Sequence, residues 1–391
     1  GNRNSRSTSV VYDFMGSGRD ILVRNSEGDG TWYFQVFDIT DITSHGGTGY
    51  FIIGKIESTG TGSCSGPAPC GGILTQAHKG FLSEQGWYYA AGAEPGFRAR
   101  HNHLLAWDLS DVAELTPDPD QELGASRFVG RAWIPGQKET EDDPGERLNC
   151  HHPVVDEEFR MEMYCGFLSG GDVFAADISE APTGPDLRFP NVWHLDLGPN
   201  QRAAGHTTAV IRYDDVPNIE PDGLPMFFAL HSEEGTGQDM NPPGAAMRTK
   251  AYMIDVTDAF GSEVATVVET WQVPNKGYVY KGGRFGPHQF AETVNSQYNI
   301  FEDRIAYFAY FNAGVRVVDI SNPYQLKEVG HFVPKRNKNT NPVSEGQIPQ
   351  IQINDVDVDY RGLVMATDRV GSGFWILKYT GDRGDHKPCK K

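Results

Sequence analysis

A short pattern recurs along this chain and limits what it can fold into: apolar, apolar, Asp, apolar, Ser/Thr, then a turn residue. It reads VFDITD (Val36–Asp41), AWDLSD (Ala106–Asp111), AADISE (Ala175–Glu180), MIDVTD (Met253–Asp258) and VVDISN (Val317–Asn322), with a degenerate sixth copy, ILKYTG, at Ile376–Gly381. The signature Asp residues are 70, 69, 78 and 64 positions apart, more than the ~40–45 of a WD40 blade. Each unit has room for about four strands and long loops. Runs rich in aromatic and β-branched residues surround each copy (WYYAAG, MEMYCG, PMFFALH, IAYFAYF, LVMATD), and no sustained 3.6-residue period competes with them. The 45 Gly and 24 Pro of the 391 residues supply the turns.

Repeated four-stranded antiparallel units read as an all-β fold, a single β-propeller of six to seven four-stranded blades. Six units are counted, and the N-terminal run SVVYDFM offers material for a seventh. One domain over 1–381 is expected, followed by a polar tail at 382–391. The signature Asp reads as structural, accepting backbone N–H bonds where strand turns into loop.

The stretch AYFNAGVRVVDISNPYQLKEVGHFVP, followed by INDVDVDYRGLVMATDRVGSGFWILKY, resembles the LVIVD-repeat proteins, most clearly over Gly286–Thr380. That resemblance implies the propeller fold and export from a bacterial cell, and leaves activity open. The Cys-His-His-Pro segment gives a weaker architectural likeness to selenium-binding/methanethiol oxidase proteins, propellers with metal-binding histidines.

Aligning the first strand of each unit on its signature gives TQAHKGF, NCHHPVV, AAGHTTAV, FGPHQFAE and QINDVDV. Four units place a histidine at the same point: His78, His152 (or His151), His206 and His288; the next has Asn354–Asp355. Innermost strands line a propeller's channel, so these imidazoles are expected to converge and hold one transition metal ion, Fe or Cu first, Zn or Mn as options. His151 and His152 face opposite sides of a strand, and His152 is the choice for the axis. His231 and Tyr164 are candidates to move protons at such a site. His151, His101, His103, Asp355, Glu292 and Asp368 are expected around it or on its rim, and Asp156 is a further carboxylate able to orient an imidazole. Trp87, Tyr88, Tyr164, Phe285 and Tyr307 would wall a small apolar or aromatic substrate. Arg100 and Arg284 keep open a carboxylate-bearing saccharide and lyase chemistry.

Cysteine placement bears on compartment. Cys64 and Cys70 bracket CSGPAPC, and Cys150 and Cys165 would face each other across a hairpin turning at Glu157–Glu158; a thiolate metal ligand at Cys150 is the alternative. Two disulfides, with Cys389 left over, imply an oxidising, extracytoplasmic setting. The start GNRNSRSTS suits a chain whose signal peptide has been removed.

A net charge of −18, with 34 Lys+Arg against 52 Asp+Glu, argues against nucleic acid as partner. No apolar run approaches the ~18–20 residues of a membrane span. Arg383-Gly384-Asp385 lies in the polar tail, GSGRD and GGRFG precede strands rather than helices, and Lys335–Lys338 reads as a solvated basic loop. No G-x-S-x-G elbow or H-E-x-x-H helix is present. The expected function is an exported metal-dependent oxidoreductase or oxygenase acting on a small molecule. A metal-dependent lyase and a non-catalytic binding propeller are the alternatives, and oligomeric state is open.

Overall fold

The computed structural model describes residues 8–26, 33–57, 76–94, 96–98, 103–142, 148–157, 160–167, 172–183, 185–197, 203–217, 219, 223–235, 249–261, 265–275, 277–292, 304–343, 345–359 and 361–381. Cys64, Cys70, Arg100, His101 and the tail 382–391 lie outside these residues, as does the side chain of His78. Among the described residues no helix is long and apolar enough to cross a membrane.

Strands follow one another in sequence order as up-and-down antiparallel sheets. The first holds β1 (Thr8–Val11), β2 (Ile21–Ser26), β3 (Tyr33–Asp38) and β4 (Phe51–Glu57). The second holds β5 (Gln76–Leu82), β6 (Trp87–Ala93), β7 (His103–Asp108) and β8 (Phe128–Ala132). The third holds β9 (Cys150–Asp156), β10 (Glu162–Phe167), β11 (Val173–Asp177) and β12 (Val192–Leu195). The fourth holds β13 (Ala203–Tyr213), β14 (Met226–Gly235), β15 (Ala251–Asp255) and β16 (Thr266–Trp271). The fifth holds β17 (Gln289–Phe290), β18 (Ile305–Ala309), β19 (Val315–Asp319) and β20 (Lys327–Phe332). The sixth has three strands, β21 (Ile353–Val358), β22 (Leu363–Asp368) and β23 (Phe374–Lys378).

Six such sheets are the blades of a six-bladed β-propeller fold. The expectation of a possible seventh is corrected: the SVVYDFM run that suggested it supplies the end of the first strand, Thr8–Val11, of the first sheet. Packing divides the chain into two compact units, Gly1–Cys165 with Phe174–His194 and Gly166–Val173 with Leu195–Lys391. In the first unit, the core between the first two sheets is carried by Phe34 and Val36 against Tyr88, Leu105 and Trp107, all 0–1% exposed. Phe34 meets Tyr88 edge-on at 4.8 Å. Burying each large side chain stabilises by about 1.5–3 kcal/mol. Tyr88 is therefore core, not the substrate wall expected of it.

Each signature Asp ends the third strand of its sheet and turns its carboxylate onto the backbone two residues ahead. Asp38 accepts from the N–H of Thr40 (3.0 Å), Asp108 from Ser110 (2.9 Å) and Asp177 from Ser179 (2.9 Å). Asp255 accepts from Thr257 (3.0 Å) and Asp319 from Ser321 (2.9 Å). A strand cannot continue through such a turn, because the N–H is spent on the side chain.

In three sheets the first strand carries a β-bulge at one recurrent place. Pairing passes from Gly205↔Glu233 to Thr207↔Ser232 around His206, and from Ile353↔Asp368 to Asp355↔Thr367 around Asn354. In β5 it passes from Ala77↔Gly92 to Gly80↔Ala90, so His78 and Lys79 share the extra position. A bulge leaves its extra residue outside the ladder and re-aims its side chain. These are the positions that the histidine alignment singled out.

Cys150 and Cys165 form a disulfide with Cα atoms 5.6 Å apart, both fully buried. The expected two-residue turn is corrected: β9 ends at Asp156 and β10 begins at Glu162.

Replacing Asp177 by Ala should cost about 1 kcal/mol at pH 7, the worth of its backbone and side-chain hydrogen bonds. Burial works to raise the Asp177 carboxyl, and bonds from Ser179 and Asn191 outweigh it, so the folded group titrates below its ordinary range. The wild-type advantage is then full above that range and disappears as pH falls through the lowered value; urea unfolding at pH 7 and pH 3 checks it. Cys150→Ser/Cys165→Ser should lose about 3 kcal/mol, read as a lower thermal midpoint that reductant reproduces in the wild type.

Candidate metal centre

In the second unit, two histidines expected as ligands come together with a carboxylate that the sequence reading passed over. The His206 and His288 ring centroids are 4.3 Å apart, with exposures of 0% and 8%. Glu234, near the end of β14 and 8% exposed, holds Oε1 3.9 Å from His288 Nε2. A ligating nitrogen of His206 lies within 4.8 Å of a carboxylate oxygen of Glu234, and likewise of Glu292.

Local structure fixes which nitrogen each ring presents. His206 Nδ1 is 2.7 Å from Thr207 Oγ1, and that hydroxyl donates to Glu292 Oε1 at 2.9 Å. A hydroxyl that gives its proton away accepts from the ring, so Nδ1 bears the hydrogen and Nε2 the lone pair. His288 Nδ1 donates to the backbone carbonyl of Asn354, which can only accept. Its Nε2 again carries the lone pair, on the Glu234 side. At 3.9 Å that contact is too long for a hydrogen bond. Two ligands at ~2.1 Å from one ion stand roughly 3–3.5 Å apart, a small closure away.

The segment GGRFGPH delivers both Arg284 and His288, and its glycines are needed there. Gly283 (φ 69°) and Gly286 (φ 135°) adopt backbone angles that side chains disfavour. A Cβ on Gly286 would come within 2.4 Å of Thr249 Oγ1. Arg284, 8% exposed, donates from Nη1 to Glu234 Oε1, and its guanidinium carbon sits 5.4 Å from the Phe311 ring centroid. Phe311 is fully buried with φ 33°, a strained backbone for a bulky residue, and its ring is 5.2 Å from that of His288. Gly166 packs so closely on β13 that an added Cβ would sit 2.6 Å from the backbone nitrogen of His206.

Other expected residues fall elsewhere. His231 is corrected from a strand end to the interior of β14, fully buried, its Nδ1 2.8 Å from Thr208 Oγ1. Asp355 accepts from the Gln289 side chain and the Val356 N–H. Asp368 is corrected from a rim group to a turn-former: it accepts backbone N–H groups of Gln352, Val370 and Ser372.

In the first unit, His151 and His152 are both 5% exposed. His152 Nδ1 lies 3.1 Å from Lys79 Nζ. A ring that accepts from an ammonium at Nδ1 carries its hydrogen on Nε2, the opposite tautomer to a ring that ligates through Nε2. His103 is corrected from a solvated rim to the interior: 1% exposed, stacked on Phe97 at 3.8 Å, with Nε2 3.3 Å from Glu94 Oε1. Asp156, at the end of β9, is near enough to Glu162 and Tyr164 to raise both their pKa values. Tyr164 is fully buried and donates to Glu162; burial and that carboxylate hold its pKa well above the ordinary value. Its hydroxyl hydrogen is held by Glu162.

Glu234 and Arg284 are the residues that sequence reasoning missed or left in the background. The available signal was in FFALHSEEG: the strand runs past His231, so the position opposite the start of β13 is Glu234, which pairs with Ala204.

No family model and no curated protein matches the chain. Among solved structures, it is similar to the β-propeller domain of Cps50 (Swd1) from Myceliophteria thermophila, with 12% identity, TM-score 0.45, and 100% of this chain and 86% of that one covered. It is also similar to Sqt1 of Chaetomium thermophilum, at 11% identity, TM-score 0.38, and 96% and 86% coverage. The Pan2 WD40 domain of Neurospora crassa matches at 9% identity, TM-score 0.29, and 95% and 88% coverage. At these scores the likenesses have no bearing on function.

Tyr164→Phe should destabilise the chain by about 1.5–3 kcal/mol, the worth of a hydrogen bond to a carboxylate. Burial raises the Glu162 pKa, and the Tyr164 bond is the largest influence lowering it. Without that bond Glu162 titrates higher still. A carboxyl raised on folding weakens the fold as pH climbs from its unfolded value through the folded one. The penalty should therefore be larger at pH 7 than at pH 4 in denaturant titrations.

Proposed function

We propose that the second unit holds a single transition metal ion through His206, His288 and Glu234, and that the protein is a metal-dependent oxidoreductase acting on a small molecule. One observation carries the reading: two buried imidazoles have their Nδ1 atoms tied back, to Thr207 and to the Asn354 carbonyl, while His288 Nε2 stands 3.9 Å from buried Glu234 and a nitrogen of His206 lies within 4.8 Å of the same carboxylate. Anchoring the far nitrogen is how proteins fix a ligating ring. Two imidazoles and one carboxylate with open positions suit Fe(II) better than the all-imidazole set that favoured Fe and Cu equally; Zn and Mn are the other ions this set accepts. Such an ion supplies an open position for O₂ or acts as a Lewis acid. The chain's own part is to hold the rings, screen Glu234 with Arg284 and keep bulk water out.

His78 and His152, expected as ligands from the sequence, belong to the first unit and take no part in this reading. The Cys150–Cys165 disulfide supports an extracytoplasmic setting, in keeping with the LVIVD-repeat resemblance of Gly286–Thr380.

The test is metal analysis of chain purified without a polyhistidine tag and reconstituted anaerobically with Fe(II). The expectation is about one ion per chain, with affinity weakened by at least the ~10–100-fold of supporting residues in Glu234→Gln and binding abolished in His206→Ala/His288→Ala. Equal metal content in wild type and double variant, both folded by circular dichroism, would sink the proposal. A folded wild type that takes up no metal would leave a binding propeller.

A further inference from the structure

We infer that Arg284 docks the carboxylate of a small organic acid beside the metal, an inference that rests on reading His206, His288 and Glu234 as ligands. A guanidinium offers five N–H donors and no acceptor, and burying it favours an acceptor for each. Arg284 is 92% buried, from its 8% exposure, and Nη1 is taken by Glu234. Its Nε is enclosed, and among the described residues no acceptor meets it. An acceptor for this edge of the guanidinium is what a bound ligand would supply.

Geometry selects the ligand class. The Nε edge is one side of a planar fork that matches two carboxylate oxygens at once. Phe311 lies against the guanidinium and holds its plane, and Gln352 Oε1 takes the Arg284 backbone N–H at 2.9 Å, so the side chain springs from a fixed point. Gln352 is itself fully buried. Because Glu234 meets Arg284 and faces His288, an acid gripped by the guanidinium lies next to the ion, where its neighbouring carbon can react. A neutral apolar substrate would leave the Nε side unanswered.

Calorimetric titration of Mn(II)-loaded chain with benzoate and its neutral isostere benzamide tests this without any variant. Benzoate should bind at least about tenfold tighter, a difference of ~1.4 kcal/mol. Arg284→Gln should erase the preference, and Arg284→Lys, which keeps charge but not the fork, should retain only part of it. Equal binding of acid and amide by the wild type, or an undiminished preference in a folded Arg284→Gln, overturns the inference. Metal content is measured first, so a chain that takes up no metal fails the earlier reading separately. The same acid-against-amide comparison on metal-free chain then decides this one: an Arg284-dependent preference upholds it and none refutes it.

Discussion

A carboxylate folding back onto the N–H two residues ahead ends the third strand in five of the six sheets, from Asp38 to Asp319. Each bond is worth only about 1 kcal/mol, yet its position matters more than its strength. It sets where the third strand stops, and so the register in which the second and fourth strands can pair. In the sixth sheet Lys378 occupies the corresponding place in the degenerate repeat and ends β23. Among the described residues that sheet has three strands, so the departure from the signature coincides with a departure in sheet size.

Fixed registers give the bulges their meaning. A strand forced to absorb one extra residue loses local ladder bonds and gains a side chain free of the pleat's alternation. The fold does this in β5, β13 and β21 at corresponding points, which hold His78 with Lys79, His206 and Asn354. In the second unit, His206 then turns toward His288, and the Asn354 carbonyl anchors His288 from the far side. The strained backbone of Phe311 belongs to the same construction, since its ring supports His288 and Arg284 together. Strain at such a point persists because the surrounding packing over-determines it.

Local chemistry was legible in the sequence, and long-range chemistry mostly was not. The Asp signature could be read because its bond spans two residues, and the first strands could be located from it. Cys150 and Cys165 were matched by hairpin arithmetic although the actual connection is longer than two residues, because a disulfide pins the pair whatever the turn. His103 looked like a rim residue since alternation alone cannot tell a solvated face from one capped by Phe97. Glu234 was hidden by a strand length: β14 continues to Gly235, beyond the histidine that seemed to end it. Tyr164 has the residue type for moving protons, and only packing reveals that it is buried and bonded to Glu162. Lys79 beside His152 is a contact across 73 residues that no spacing announces.

Charge placement then explains why Glu234 and Arg284 occur together. A carboxylate that is 8% exposed carries a large desolvation cost unless a cation and hydrogen bonds answer it. Arg284 answers from one side with a rigid guanidinium that cannot lose its proton and cannot itself ligate a metal. His288 approaches the same Glu234 oxygen that Arg284 meets, with its Nδ1 tied to the Asn354 carbonyl. An ion gripped there would share Glu234 with Arg284, which draws electron density from the carboxylate and leaves the ion a stronger Lewis acid than a carboxylate without that partner would. The same guanidinium thus answers the buried carboxylate and limits how far it can neutralise whatever it binds.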